Sequence, residues 1–344
     1  MKLCKMKVML PLILLCCFMG ISFPAMAKDF LYIPCVNALQ VIDCESDTVV
    51  KTIPYNDYIL NAAYSSDGKR YYLNAIHSIY VIDTVANKLI DTHKISSELS
   101  KVDIFGMAVS GDDKKLYLSC SIVKKKQNIP KLNVYPPQLV VYDLAKRKMV
   151  KNYQIPSAFT AIVTLRNDPD QLFLVGLDIH KIDLKTGKFQ KMMGLLNPEK
   201  SEKGKNALVI WQNNRHDDHG IFANPYYTAT GMGYFIIDKN TGKISTLKGK
   251  DILFEYSNVV SPDQKYIYGV MDELIKIDMK TGETVKMISV EKGTCYVVNQ
   301  TSDGKKLYVG PAGADVSVYD AETLALLGVI PLAGDGVIAH IIPQ

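Results

Sequence analysis

Seven times along this chain a run of strand-forming residues closes on an aspartate, turns, and starts a second run. The aspartates are Asp43, Asp83, Asp143, Asp183, Asp238, Asp278 and Asp320, at intervals of 40, 60, 40, 55, 40 and 42 residues. Typical runs are Leu39-Gln40-Val41-Ile42, Ile79-Tyr80-Val81-Ile82, Leu139-Val140-Val141-Tyr142 and Val316-Ser317-Val318-Tyr319. β-Branched and aromatic residues suit a pleated, half-buried surface. A period of about 40–45 residues built from strands is the mark of a propeller. The count predicts an all-β fold, a seven-bladed β-propeller over residues 28–344. In such a wheel the frame is generic and function lies in loops and partners.

The turns carry their own grammar. Ser65-Ser66-Asp67-Gly68-Lys69 recurs as Ser110-Gly111-Asp112-Asp113-Lys114, Ser261-Pro262-Asp263-Gln264-Lys265 and Thr301-Ser302-Asp303-Gly304-Lys305. Ser and Asp there can bond their own backbone and close a tight hairpin between strands a and b. A second set, Lys185-Thr186-Gly187-Lys188, Asn240-Thr241-Gly242-Lys243 and Lys280-Thr281-Gly282-Glu283, joins strands c and d. The seven aspartates are therefore read as turn-bonding groups and not as catalytic carboxylates. The 20 tyrosines read first as packing residues.

The first repeat lacks a strand a, whereas Gly336 to Ile342 has the character of one. The C-terminal strand is expected to complete the first blade and close the ring, because otherwise two sheet edges stay open. Two intervals are long. One contains Cys120 to Gln138, between strands b and c of the third blade; the other contains Met192 to Asn206 and a long a–b turn, Gln212 to Gly220. The b–c and d–a loops of a propeller leave on one face, so both long insertions are expected there, with a docking partner.

Residues 1–27 read as a secretory signal peptide. Lys2, Lys5 and Lys7 precede a mostly apolar run, Val8 to Phe23, and Ala25-Met26-Ala27 resembles a cleavage site. Cleavage leaves 317 of 344 residues, and the net charge falls from +5 to +2 with the loss of three lysines. That balance predicts neither nucleic-acid binding nor membrane attraction. No later apolar run is long enough to span a bilayer. Lys124-Lys125-Lys126 is the one dense basic run, read as a solvated loop or a partner-docking patch. Cys35, Cys44, Cys120 and Cys295 remain after cleavage. An exported protein permits disulfides, and Cys35 with Cys44 flank one hairpin as a possible pair. No Cys-x-x-Cys-His haem motif, zinc knuckle, nucleophile elbow or phosphate-binding glycine loop occurs.

Two stretches stand out. Trp211 to His219 holds the single Trp and the run Arg215-His216-Asp217-Asp218-His219. His216 and His219 with two aspartates could hold a metal, but no distant third ligand is marked. The stretch reads as a lengthened turn, or as interface residues Trp211, Arg215 and Asp217. Tyr226 and Tyr227, in Asn224-Pro225-Tyr226-Tyr227-Thr228, read as a b–c loop at a protein interface or as packing beneath a loop. His180 and His340 read as core or channel residues.

The strand grammar resembles that of YVTN-type propellers. Lys28-Asp29-Phe30-Leu31-Tyr32-Ile33-Pro34, the seven Asp-closed blades and the Trp211 to Thr228 region together resemble the beta subunit of quinohemoprotein amine dehydrogenase, over the whole mature chain. The heavy chain of methylamine dehydrogenase is a related type. The resemblance implies a periplasmic heterotrimer. One partner would be a di-haem cytochrome c chain and the other a small chain bearing cysteine tryptophylquinone. The complex oxidises a primary amine to aldehyde and ammonia. It implies no catalytic residue or cofactor on this chain, which would hold the small subunit and wall off one side of the active site. A stand-alone envelope-binding propeller and a lactonase-type propeller enzyme are the competing readings.

Overall fold

A computed structural model describes residues 28–196, 206–207, 220–290, 293–311, 313–336 and 338–344. The leader, the metal reading at His216 and His219, and Trp211, Arg215 and Asp217 lie outside the described residues. The described residues contain no helix. They form seven small antiparallel sheets, the seven blades expected from the repeat. Blade 2 shows the unit: strand a Ile59–Tyr64, b Arg70–Ala75, c Ser78–Asp83 and d Lys88–Lys94, each paired with the next.

Ring closure is as expected. His340–Pro343 pairs with Asp29–Cys35 in register Tyr32↔His340 to Asp29↔Pro343, so blade 1 is built from both ends of the fold. Lys28 and Gln344 extend the seam with two backbone hydrogen bonds of 2.9 Å.

The repeated turns have the predicted chemistry. Ser65, Ser110, Ser261 and Thr301 each donate a hydroxyl to the aspartate two residues on, at 2.6–2.7 Å. Each hydroxyl oxygen also accepts the N–H that opens strand b, at 2.9–3.0 Å. All seven closing aspartates accept backbone N–H groups from their own c–d turns. The residue four beyond each aspartate has positive φ. It is Gly187, Gly242 or Gly282 in three blades and Asp47, Asn87, Arg147 or Leu324 in the others.

Adjacent blades share apolar cores, one cluster per interface. Burying such side chains is worth about 1.5–3 kcal/mol each. Tyrosines of strand b add a directional element. Tyr32, Tyr268 and Tyr308 donate to the carbonyls of Thr84, Ala321 and Cys44, each the residue after a closing aspartate in the next blade. The Tyr308 bond ties blade 7 to blade 1 across the seam.

The expected Cys35–Cys44 pairing is corrected. Cys35 lies opposite Ala38 at the turn end of its hairpin, while the Cys44 N–H reaches Asp29 at the far end. Six residues along a strand is roughly 20 Å, beyond the Cα separation a disulfide allows. Cys35, Cys44, Cys120 and Cys295 are all buried free thiols.

Candidate partner-docking face

Strand direction gives the wheel two unlike faces. The b–c and d–a connections leave on one, the loop face; the a–b and c–d turns leave on the other. Exposed large apolar side chains divide unevenly among the described residues. On the turn face only Val85 stands out. A second group lies on the outer d strands, such as Val50, Val150 and Met287. The loop face carries the largest set. Val36, Ile76 and Leu177 occupy short b–c turns. Tyr58, Leu99, Leu196, Ile252 and Phe254 occupy d–a loops. Ile129, Leu132, Val134 and Tyr135 lie on the blade 3 insertion. Scattered surface apolar residues are ordinary, whereas contiguous exposed apolar patches are where proteins tend to interact.

The channel mouth on this face has a repeated construction. Strand a shifts register at Leu60, Phe105 and Tyr296, a β-bulge near the loop-face end of each of these inner strands. Leu60 and Phe105 are 45% and 42% exposed. Tyr256 holds the corresponding place in blade 6 and stacks on Tyr296 at 5.5 Å. Bulges re-aim side chains, and here they furnish an apolar collar.

Beside the collar, Tyr227 stacks on the exposed ring of Phe254 at 5.5 Å with an interplanar angle of 18°. Its phenolic oxygen accepts the Glu255 N–H at 3.1 Å. Burial, with the Glu255 carboxylate nearby, pushes the Tyr227 phenol well above its ordinary value. Glu255 is fully buried. Its carboxylate takes a hydrogen bond from the Tyr234 hydroxyl and one of 3.3 Å from Asn258 Nδ2. This platform is held from below by a bonded carboxylate, since burying an unpaired one is costly.

The structure separates the two tyrosines read together from sequence. Tyr227 belongs to the loop-face platform. Tyr226 does not: it is 8% exposed and packs in the core between blades 4 and 5. Both lie within a strand, Ile221–Thr228, and not in a loop; alternation along the strand turns neighbours to opposite sides. His180 stacks on Phe189 at 4.6 Å, and burial lowers its pKa. His340 is buried, with Nδ1 2.8 Å from the Tyr71 hydroxyl. Among the described residues, no three His, Cys, Asp or Glu side chains gather as a metal site.

The blade 3 insertion extends the sheet. Strand b (Lys115–Lys125) overruns the blade and pairs with the start of strand a (Ser100–Val109) and with a short strand, Leu132–Val134. On the opposite face, a cavity of about 740 Å³ opens on the axis, lined by residues that include Tyr64, Asp112, Arg166, Lys239 and His340. The apolar loop-face residues do leave a signal in the sequence. Val36-Asn37 and Ile76-His77 each place an apolar side chain in a two-residue turn, where polar residues are usual.

No family model matches the chain, and no curated protein matches it. Among solved structures it is similar to a Kuenenia stuttgartiensis hydrazine synthase chain, at 16% identity and TM-score 0.56, over 87% of this chain and 90% of that one. A functionally unknown protein from Desulfotomaculum acetoxidans DSM 771 aligns at 14% identity and TM-score 0.62, over 92% and 99%. The dihydro-heme d1 dehydrogenase NirN, in complex with DHE, aligns at 16% and 0.55, over 93% and 76%. At these identities the likeness establishes the propeller fold alone.

Proposed function

We propose that this chain is a non-catalytic propeller subunit that seats a second protein on its loop face. The observation that carries the reading is the gathering of exposed apolar side chains on that face, around a bulge-built collar. Its more specific form is the propeller subunit of a periplasmic quinohemoprotein amine dehydrogenase. The small subunit with cysteine tryptophylquinone would sit against the collar, in a complex with a di-haem cytochrome c subunit. The quinone and haem supply the redox chemistry from those partners. This chain contributes an apolar wall that keeps water from the primary amine and strengthens the electrostatics of the enclosed site. That two of the similar propellers bear the names of hydrazine synthase and a heme d1 dehydrogenase accords with such a setting.

Capture of the tagged chain from the envelope fraction of its native cell tests this. The expected result is a stoichiometric complex containing one haem-staining and one quinone-staining chain, with amine-dependent dye reduction. Recovery of a monomer with neither would overturn it. The axial cavity on the turn face favours a second reading, a lactonase-type propeller enzyme. Lactone turnover by the isolated chain would move the assignment there.

A further inference from the structure

Among the described residues, blade 3 alone carries a three-stranded flap on the loop face. Register sorts its side chains. Val102 and Ile122 enter the core shared with blade 2. The alternate residues Lys101, Val123, Lys125, Leu132 and Val134 lie on the other side, the one that packs through Tyr117 against blade 4 lower down. Leu132 and Val134 are 60% and 71% exposed, among the most exposed apolar side chains of the described residues. Their strand is an edge, paired on one side only.

The charge is as one-sided as the apolarity. Segment 122–135 holds Lys124, Lys125, Lys126 and Lys131 and no carboxylate. Lys101 is already engaged by Asp103 at 2.9 Å, and Lys124 lies over the Tyr135 ring at 5.3 Å. The mature chain as a whole is nearly balanced, so this is a local excess. We infer that the flap is the recognition element of the docking face, and that it selects a protein partner whose acidic surface surrounds an apolar contact. The inference rests on the docking reading above and adds the partner's chemistry. Apolar groups at the centre of a contact supply its affinity, and charges at its rim supply orientation and association rate. A membrane fits less well. The exposed pair Leu132 and Val134 sits on the side of the flap, while the turn at its tip, Lys126-Gln127-Asn128-Ile129-Pro130-Lys131, is mostly polar.

The test uses the chain with the quinone-staining subunit recovered in the capture experiment, each purified, with binding kinetics followed over a salt series. Wild-type association should slow steeply with salt. The triple variant K124E/K125E/K126E should associate about tenfold more slowly and lose that salt dependence. The double variant L132S/V134S should dissociate about tenfold faster at little cost in association rate. All five side chains are exposed, so melting temperatures should match wild type. If the subunit binds both variants as it binds wild type, this inference is overturned and the docking reading stands. If no quinone-staining subunit is recovered, both fail. If the triple variant loses binding to phosphatidylglycerol vesicles while its protein association is unchanged, the lysines serve a lipid surface and the inference is overturned in that direction.

Discussion

At the residue scale, the turn chemistry was legible. The Ser or Thr that opens each a–b turn, the Asp two residues on and the seven closing aspartates make bonds that span only two to five residues and need no tertiary context, whereas Ser66 and Ser302 in the same turns bond Asp113 and Asp29 of neighbouring blades. Their electrostatics carry a pH dependence. N–H groups of the turn, led by those of Thr186 and Thr281, hold the Asp183 and Asp278 carboxyls below 3.8, the ordinary value. A carboxylate with a lowered folded value stabilises fully above its unfolded value and loses that effect as pH falls through the folded one. Urea midpoints should therefore hold steady down to about pH 4 and fall progressively below it. The left-handed positions make a second prediction. A Cβ at Gly282, where φ is +72°, would meet the Lys248 carbonyl oxygen at 2.1 Å. Gly282→Ala should cost roughly 2–4 kcal/mol, strain plus displaced backbone. Arg147→Gly relieves a φ of 52° and loses only an exposed pair with Asp91. It should lie within about 1 kcal/mol of wild type. Denaturant titration of both variants checks the contrast. The thiols make a third. Burial pushes Cys35, Cys44, Cys120 and Cys295 up to about 12. A chain of residues 28–344, folded, should resist alkylation near neutral pH, and the same chain unfolded and unreduced should take up four equivalents by mass. Uptake of two would restore a disulfide.

At the scale of elements, strand existence and order were legible and strand limits were not. Tyr226 and Tyr227 show why. The dipeptide looks like loop because Asn224-Pro225 precedes it, yet Pro225 sits in strand b of blade 5, opposite Tyr234, and pairing continues to Thr228. No strand was read in the blade 3 insertion, because its short strand is only three residues long. Its partner was hidden in the overrun of Lys115–Lys125. The closing strand was legible, since an incomplete first repeat demands a donor. A chain stopped after Gly334 should leave Asp29–Cys35 as an open edge and aggregate on purification. A soluble truncated chain with unchanged unfolding would sink the closure argument.

At the scale of the molecule, the wheel could be counted in advance and the insertions pointed to one face, but the apolar character of that face could not be read. Which face is apolar depends on residues such as Ile252 and Phe254, whose exposure is a property of the assembled ring. On its own, the chain should bind a hydrophobic dye and self-associate; I252S/F254S should reduce both, as read by fluorescence and sedimentation. The seam has a kinetic meaning as well. Gln344 bonds to Tyr32 across 312 positions, a contact that no early event in folding can make. Blades 2 to 7 can form in succession from local hairpins, but the first must wait, half made, for the last strand to arrive. Until then the molecule is a coiled ribbon with two sticky ends, and the interval before they meet is when it is most exposed to pairing with a neighbour in place of itself.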